Sequence, residues 1–417
     1  VKQKHLDTLE LPKILEKLAS YAAFSASKTL ALQLKPSPYL TEVRVRQTET
    51  TEADHLLSVH PNLGVGGARD VRPYLTRTQR GSILTPLEFL EIRQTLISAR
   101  QLKRTITRLA EQYPRLADIA QRIEECAGVI NAIGEAIDDN GEVKDNASPT
   151  LARIRREINM AHDRLMEKLN RVVASSQLSQ YLQETLITQR AGRYVVPVKA
   201  EFKGRIQGIV HDQSASGATI FVEPLATVEL NNKWRQLQLD EEDEIHRILT
   251  QLGELVAAQA EFISHTVEAL AELDLALAKA KYAQAIEAVA PQLFDQTNPP
   301  TSGHPDPAGF KLLSARHPLL DPKTVVPIDV TLEAGTKMLV ITGPNTGGKT
   351  VSLKTIGLLA AMAQAGLHIP AAEGSTLPVF TQIFADIGDE QSIEQSLSTF
   401  SGHMTNIVQI LQTCDQQ

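Results

Sequence analysis

Gly343, Pro344, Asn345, Thr346, Gly347, Gly348, Lys349 and Thr350 satisfy every defined position of G-x-x-x-x-G-K-[ST]. Glycines at these places let the backbone wrap closely, so that amides point at phosphate oxygens. A helix starting there adds the positive end of its dipole. In such a loop Lys349 reaches the β- and γ-phosphates and Thr350 ligates Mg²⁺, so the pattern calls for ATP with Mg²⁺. The flanks agree: Lys337–Ile341 (KMLVI) reads as a buried strand, and Val351–Ala365 as an amphipathic to apolar helix. Phosphoryl transfer also needs a carboxylate for the metal, usually on a later apolar strand ending in Asp or Asp-Glu. No such strand is readable before Gln417, and FADIGDEQS, with Asp386, Asp389 and Glu390, does not have that form. The catalytic carboxylates are therefore unassigned. The expectation is an incomplete nucleotide domain that binds weakly and hydrolyses poorly, and the missing initiator Met agrees with a fragment.

A second group of residues suits phosphate in another way. Arg190, Arg193, Lys199, Lys203 and Arg205 cluster against Glu201, within short β-branched segments: RYVVPVK, RIQGIVH and ATIFVE. Net charge is −7, so the chain has no global basic footprint, and nucleic acid would have to meet a local patch such as this one. A charged hairpin surface without a ligand reads equally well from the residues alone. Downstream, the Ser-rich turn Ser396–His403 precedes a helical stretch. Its hydroxyls fit plain N-caps or, in composite-site ATPases, contact with a γ-phosphate held by another subunit.

These groups must be positioned by a mostly helical chain. Aromatic content is 4%, and Ala, Leu, Gln and Glu abound. Helical spacing runs from Leu6 to Leu34, again from Pro86 to Arg108, and nearly unbroken between Pro149 and Pro197. Between Pro224 and Pro291 a Pro-free stretch holds only Gly253. As a single helix of roughly 60 residues it would reach about 90 Å, a lever or antiparallel arm; two or three ordinary helices are the alternative. The cationic β segments fall between the two arms and read as a tip. Past Pro291 the segment Asp295–Gly309 is linker-like, and strands are expected near Val325–Val330 and Met338–Ile341. Two distant cysteines, no signal peptide and no spanning segment point to the cytoplasm and away from membranes.

ITGPNTGGKT, HIPAAEGS (His368–Ser375), FADIGDEQSIEQSLSTFSGHM (Phe384–Met404) and ARHPLL (Ala315–Leu320) together resemble the MutS ATPases. VHDQSASGATIFVEP (Val210–Pro224) and VELNNK (Val228–Lys233) resemble the type-two branch of that family. The resemblance covers essentially the whole chain. It implies a multidomain fold: an all-α core and lever with long helical arms and a small β-rich clamp tip, followed by an incomplete α/β P-loop domain of ABC type. The corresponding boundaries are 1–149 for the core, 150–290 for the arms with the tip near 190–224, 291–309 for the linker and 310–417 for the ATPase domain. It further implies a homodimer with composite sites, in which Ser398 and Thr399 approach the partner subunit's nucleotide. The targets it implies are branched DNA such as recombination junctions, with restraint of homologous recombination, or stalled and collided ribosomes through rRNA. The branch normally continues through an Asp-Glu strand to a small nuclease domain, so endonuclease activity belongs to a full-length protein. Since the sequence starts directly in the helical core, mismatch reading of the kind found elsewhere in that family is not expected of it. A recombination ATPase of the SMC kind is disfavoured because its P-loop precedes the arm, whereas here it follows at Gly343.

Overall fold

A computed structural model describes residues 1–294, 309–333, 336, 338–343, 348–387 and 404–412. Residue contacts divide the chain into two compact units, each assembled from separated stretches. Pro73–Arg93 and Ala127–Ala260 form one, and Val1–Arg72, Gln94–Cys126 and Glu261–Gln417 form the other.

In the first of these, helices Pro149–Val173 and Leu225–Ala258 lie side by side. The order of their cross-links makes the pair antiparallel: Ser148 bonds Glu244 at 2.6 Å, Arg155 meets Glu241 at 2.7 Å, and His162 stacks beside Trp234. Ser148 also accepts the Leu151 amide, which caps the helix whose first residue is Pro149. Leu165, Leu169, Trp234 and Leu237 continue the pair's apolar seam into the tip. The tip is a four-stranded antiparallel sheet of β1 (Thr188–Arg190), β2 (Arg193–Lys199), β3 (Gly208–Gln213) and β4 (Thr219–Pro224), in the order β1-β2-β4-β3. β2 and β4 coincide with the β-branched runs of the sequence, and their Val196, Val198, Ile220 and Val222 are buried in the same cluster.

Two helical expectations are corrected. The arm from Pro149 ends at Val173; Leu178 and Leu182 keep the helical spacing but instead cover the sheet, with Leu182 bridging Val198. The second arm is two helices, Leu225–Ala258 and Ala260–Ala285, because Gln259 leaves helical geometry at φ −108°. No Gly or Pro marks this break. Buried Leu252, Val256, Ala260, Ile263 and Val267 carry the apolar spacing straight through it, so periodicity could not reveal it.

The other unit centres on helix Lys349–Gln364. Its Leu358, Leu359 and Met362 pack with Leu6, Leu11, Ile14 and Leu18 of the first helices. They also meet a sheet of β5 (Gln292–Phe294), β6 (Phe310–Ala315), β7 (Ile328–Leu332) and β8 (Thr376–Pro378), in the order β5-β8-β6-β7. Only the β5–β8 pair is parallel. The expected strand at Met338–Ile341 is not formed: Met338 is 78% and Val340 72% exposed, and no strand pairs with them among the described residues. A parallel strand next to a P-loop is stable only when both its edges and both its faces are covered. The described residues therefore form a helical body with small sheets, not a complete α/β P-loop domain. β7 begins three residues later than expected, leaving Val326 exposed. Of the linker expected over 295–309 all but Gly309 lies outside the described residues, as does the turn holding Ser398 and Thr399.

Candidate nucleotide site and nucleic-acid interface

Of the run expected to bind phosphate, Gly343, Gly348, Lys349 and Thr350 are described; Pro344, Asn345, Thr346 and Gly347 lie outside the described residues. Gly343 (φ +146°) and Gly348 (φ +77°) hold conformations that side chains rarely adopt, and Gly348 caps the helix that Lys349 begins. The Lys349 amine donates to the Gly343 carbonyl at 2.7 Å, so it folds across the mouth of the loop. Thr350 is exposed in the first turn. The residues that would hold phosphate are thus the start of a 16-residue helix, with a cation beside its N-terminal amides. Of the downstream acids only Asp386 is described, and its carboxylate accepts from the Asn406 amide at 2.8 Å.

The far end of the same helix is gripped by side chains. Gln47 donates to the carbonyls of Ala363 and Leu367, both at 2.8 Å, and Thr50 donates to that of Gly366 at 2.7 Å. Gln364 donates to the Ser37 and Phe380 carbonyls and accepts the Phe380 amide. Gly366 (φ +82°) lets the turn approach helix Leu40–Val59 so closely that a Cβ would lie 2.5 Å from that of Arg46. Thr51 shares a 3.0 Å hydrogen bond with His368, whose burial lowers its pKa to about 4. Lys279, fully buried beside this turn, is lowered to about 8 by the same cause. None of these contacts had a sequence signal, because each joins residues hundreds of positions apart or pairs a side chain with backbone.

In the tip the five cations come to one small sheet but are not equivalent. Arg193 donates to both oxygens of Glu223, at 2.9 and 3.1 Å, and to Asn232 at 2.5 Å. Glu223 has no exposed surface and also meets His211 Nε2 at 2.6 Å. Arg190 pairs with Asp212 at 3.2 Å and lies 4.1 Å over the Phe221 ring. Lys199 sits 5.9 Å from the Phe202 ring. Lys203 and Arg205 are exposed and have no ion pair among the described residues. The sequence cluster thus divides into two arginines that tie the sheet together, Lys199 beside an aromatic ring, and a loop carrying two open charges.

The MutS domain V family model matches residues 339–417. Along 415 residues, 99% of this chain and 52% of the relative, it is 47% identical to an endonuclease MutS2 of Geobacillus sp. (strain WCH70). To that of Thermomicrobium roseum it is 48% identical over 98% of the chain and 52% of the relative; to that of Pelotomaculum thermopropionicum, 46% over 98% and 51%. The chain spans about half the length of these curated relatives. Among the described residues no helix is long and apolar enough to cross a membrane. Identity close to one half along its whole length, together with a domain V match that begins just ahead of the glycine loop, places the chain in the MutS2 branch of the MutS family.

Proposed function

We propose that this chain is the nucleotide-operated part of a nucleic-acid clamp: ATP with Mg²⁺ is held at Gly343–Thr350, and nucleic-acid backbone is met by the β-tip. The observation that carries the reading is the glycine-only backbone at Gly343 and Gly348, set at a helix start with the Lys349 amine folded over it. These residues fit the group: Lys349 would meet the terminal phosphates and Thr350 the metal, and bound Mg²⁺ supplies charge neutralisation of the phosphates. Ser398 and Thr399 are assigned to the partner subunit's nucleotide in a homodimer. The body comprising residues 310–417 is read as the ATPase part, 291–309 as its linker, 1–149 as the core and 150–290 as the arms. Cytoplasmic residence goes with this reading.

In the tip Lys203 and Arg205 are the backbone-contacting charges, with Lys199 and Arg190 flanking, and Arg193 keeps the sheet in shape. Branched DNA is the proposed target, with restraint of recombination as the consequence. The endonuclease activity stated in the relatives' names is assigned to the full-length protein, and these 417 residues are expected to hydrolyse ATP poorly. Backbone charge is common to DNA and RNA, so one experiment separates the targets. Binding to a four-way junction, plain duplex and ribosomes is measured at several salt concentrations, with and without MgATP. Preference for the junction supports the DNA clamp, preference for ribosomes replaces it with an rRNA clamp, and a flat salt response for all three leaves a protein scaffold. For the nucleotide, Lys349→Ala is expected to weaken ATP binding about 100-fold, the equivalent of about 3 kcal/mol. Unchanged affinity by titration calorimetry would sink the assignment.

A further inference from the structure

In the tip the helical cover stops short of the sheet's edge. Val196, Val222 and Val210 stand in one row across β2, β4 and β3, since Val196 and Val210 both pair with Val222. Cross-strand partners share a face, so all three lie on the side that packs against the helix pair. Exposure along the row nevertheless goes from 0% at Val196 and 3% at Val222 to 44% at Val210. Beside β3 lies a cleft of about 340 Å³, within the range of small-ligand sites. Val198, Ile206, Ile220 and Val222 give it buried apolar walls, and Val210 its exposed one. Lys203 and Gln207 also line it, and Arg205 lies between Gly204 and Ile206, which do. Lys203 and Arg205 have no ion pair among the described residues, and the Gln207 side chain makes no hydrogen bond among them. An apolar slot thus adjoins two open cations. A nucleotide combines these needs in one unit, a flat base joined to a phosphate, but only where the base is unpaired; a duplex keeps its bases stacked and offers phosphate and groove. An apolar peptide side chain would fill the slot and bring no charge to the cations.

We infer that this cleft receives one unpaired nucleobase, with the phosphates on either side of it held by Lys203 and Arg205. The inference rests on the reading of the tip as the nucleic-acid contact. It adds to that reading a means of telling an unpaired strand from plain duplex: charge binds either, and the apolar wall rewards only a base that has left its stack.

Two neighbouring residues supply the test. Ile209 and Val210 are equally exposed, at 44%, and adjacent residues of a strand face opposite ways. Val210→Gln makes the cleft wall polar without changing charge, and Ile209→Gln makes the same change on the other face. Fluorescence anisotropy measures binding of a thymidine oligomer, and of an abasic oligomer with the same number of phosphates, to the parent protein and both variants at one salt concentration. Expected in the parent is about 10-fold tighter binding of the thymidine oligomer. Val210→Gln should bring the two oligomers within about twofold of each other with abasic affinity unchanged, while Ile209→Gln keeps the parent's preference. Equal affinity of the parent for the two oligomers overturns the inference and leaves the tip's charges as its contact. A preference that survives Val210→Gln overturns it too, as does an equal loss in both variants, which would trace the effect to edge-strand hydrophobicity and not to the cleft. If the parent binds neither oligomer, the reading of the tip itself falls and this inference falls with it.

Discussion

Around Gly343–Thr350 the apolar side chains Met338, Leu339, Val340 and Val326 stand exposed, and the helix is held further along, by its buried Leu358, Leu359 and Met362 and by polar contacts at its far end. In the tip Val196, Val198, Ile220 and Val222 are buried in the cluster shared with the helix pair, although Ile209 and Val210 of β3 stand exposed, and two of the five cations are tied internally, Arg193 to Glu223 and Arg190 to Asp212. One region therefore has chemistry written in a contiguous motif but little local cover. The other has good cover, and a chemistry that folding reduces to two open cations. Counting charges along a sequence overstates a binding patch whenever some of them serve as internal struts, and only the partners of each side chain tell the two uses apart.

The contrast can be broken first at its largest expected effect. Arg193→Glu leaves the buried Glu223 carboxylate facing a like charge and is expected to destabilise the tip-bearing unit by about 3–5 kcal/mol, read by urea unfolding and by proteolysis between Thr188 and Pro224. A variant as stable as the parent would show that the arginine is not a strut. Gln47→Leu removes two hydrogen bonds to carbonyls of the helix end, leaving those acceptors buried, and is expected to cost about 2 kcal/mol. Hydrogen exchange of residues 361–368 should rise in that variant and stay constant in the tip.

Acid should act on the two regions in different windows. His368 is neutral when folded, with a pKa near 4 against an ordinary 6.5, so the unfolded chain binds the extra proton first. Stability of its unit falls as pH drops from 6.5 to 4. Glu244 is held near 2 against an ordinary 4.5, chiefly by the Arg247 hydrogen bond and then by Ser148. Its contribution is complete above 4.5 and disappears as pH falls through 4.5 toward 2. Unfolding followed against pH in His368→Gln and Glu244→Gln should flatten one window each; if each flattens both, the separation is wrong. The smallest effect on stability is expected from Lys203→Ala with Arg205→Ala, within about 0.5 kcal/mol of the parent. In nucleic-acid binding the same pair should lower the slope of log affinity against log salt by about two, and an unchanged slope would remove the tip from the interface.

The parts of the fold readable in advance were those fixed locally. Pro86 opens the helix expected from Pro86 to Arg108, and the structure adds a reciprocal cap at its start, the Thr85 amide donating to Glu88 at 2.8 Å. Gly343 and Gly348 were readable because only glycine suits their backbone. The halt at Gln259, the conversion of Leu178 and Leu182 from helix face to sheet cover, and the missing strand at Met338 were not readable, since each is decided by what packs nearby. Strand β1 was missed because three residues, Thr188–Arg190, carry too little pattern. Glu223 was hidden for another reason: a carboxylate at the end of ATIFVE looks solvent-facing until Arg193 and His211 are seen to converge on it.

The grip on residues 363–367 has a mechanical consequence. A 16-residue helix is about 24 Å long, and with its last turn fastened by Gln47, Thr50 and Ser37, any tilt about that end is largest at its first turn. A tilt of about 5° at such a pivot carries the opposite end through about 2 Å, as simple trigonometry on that length requires. The tightest point of that grip is the turn at Gly366, where a Cβ would lie 2.5 Å from that of Arg46, so a larger residue there would push the fastened end off its support.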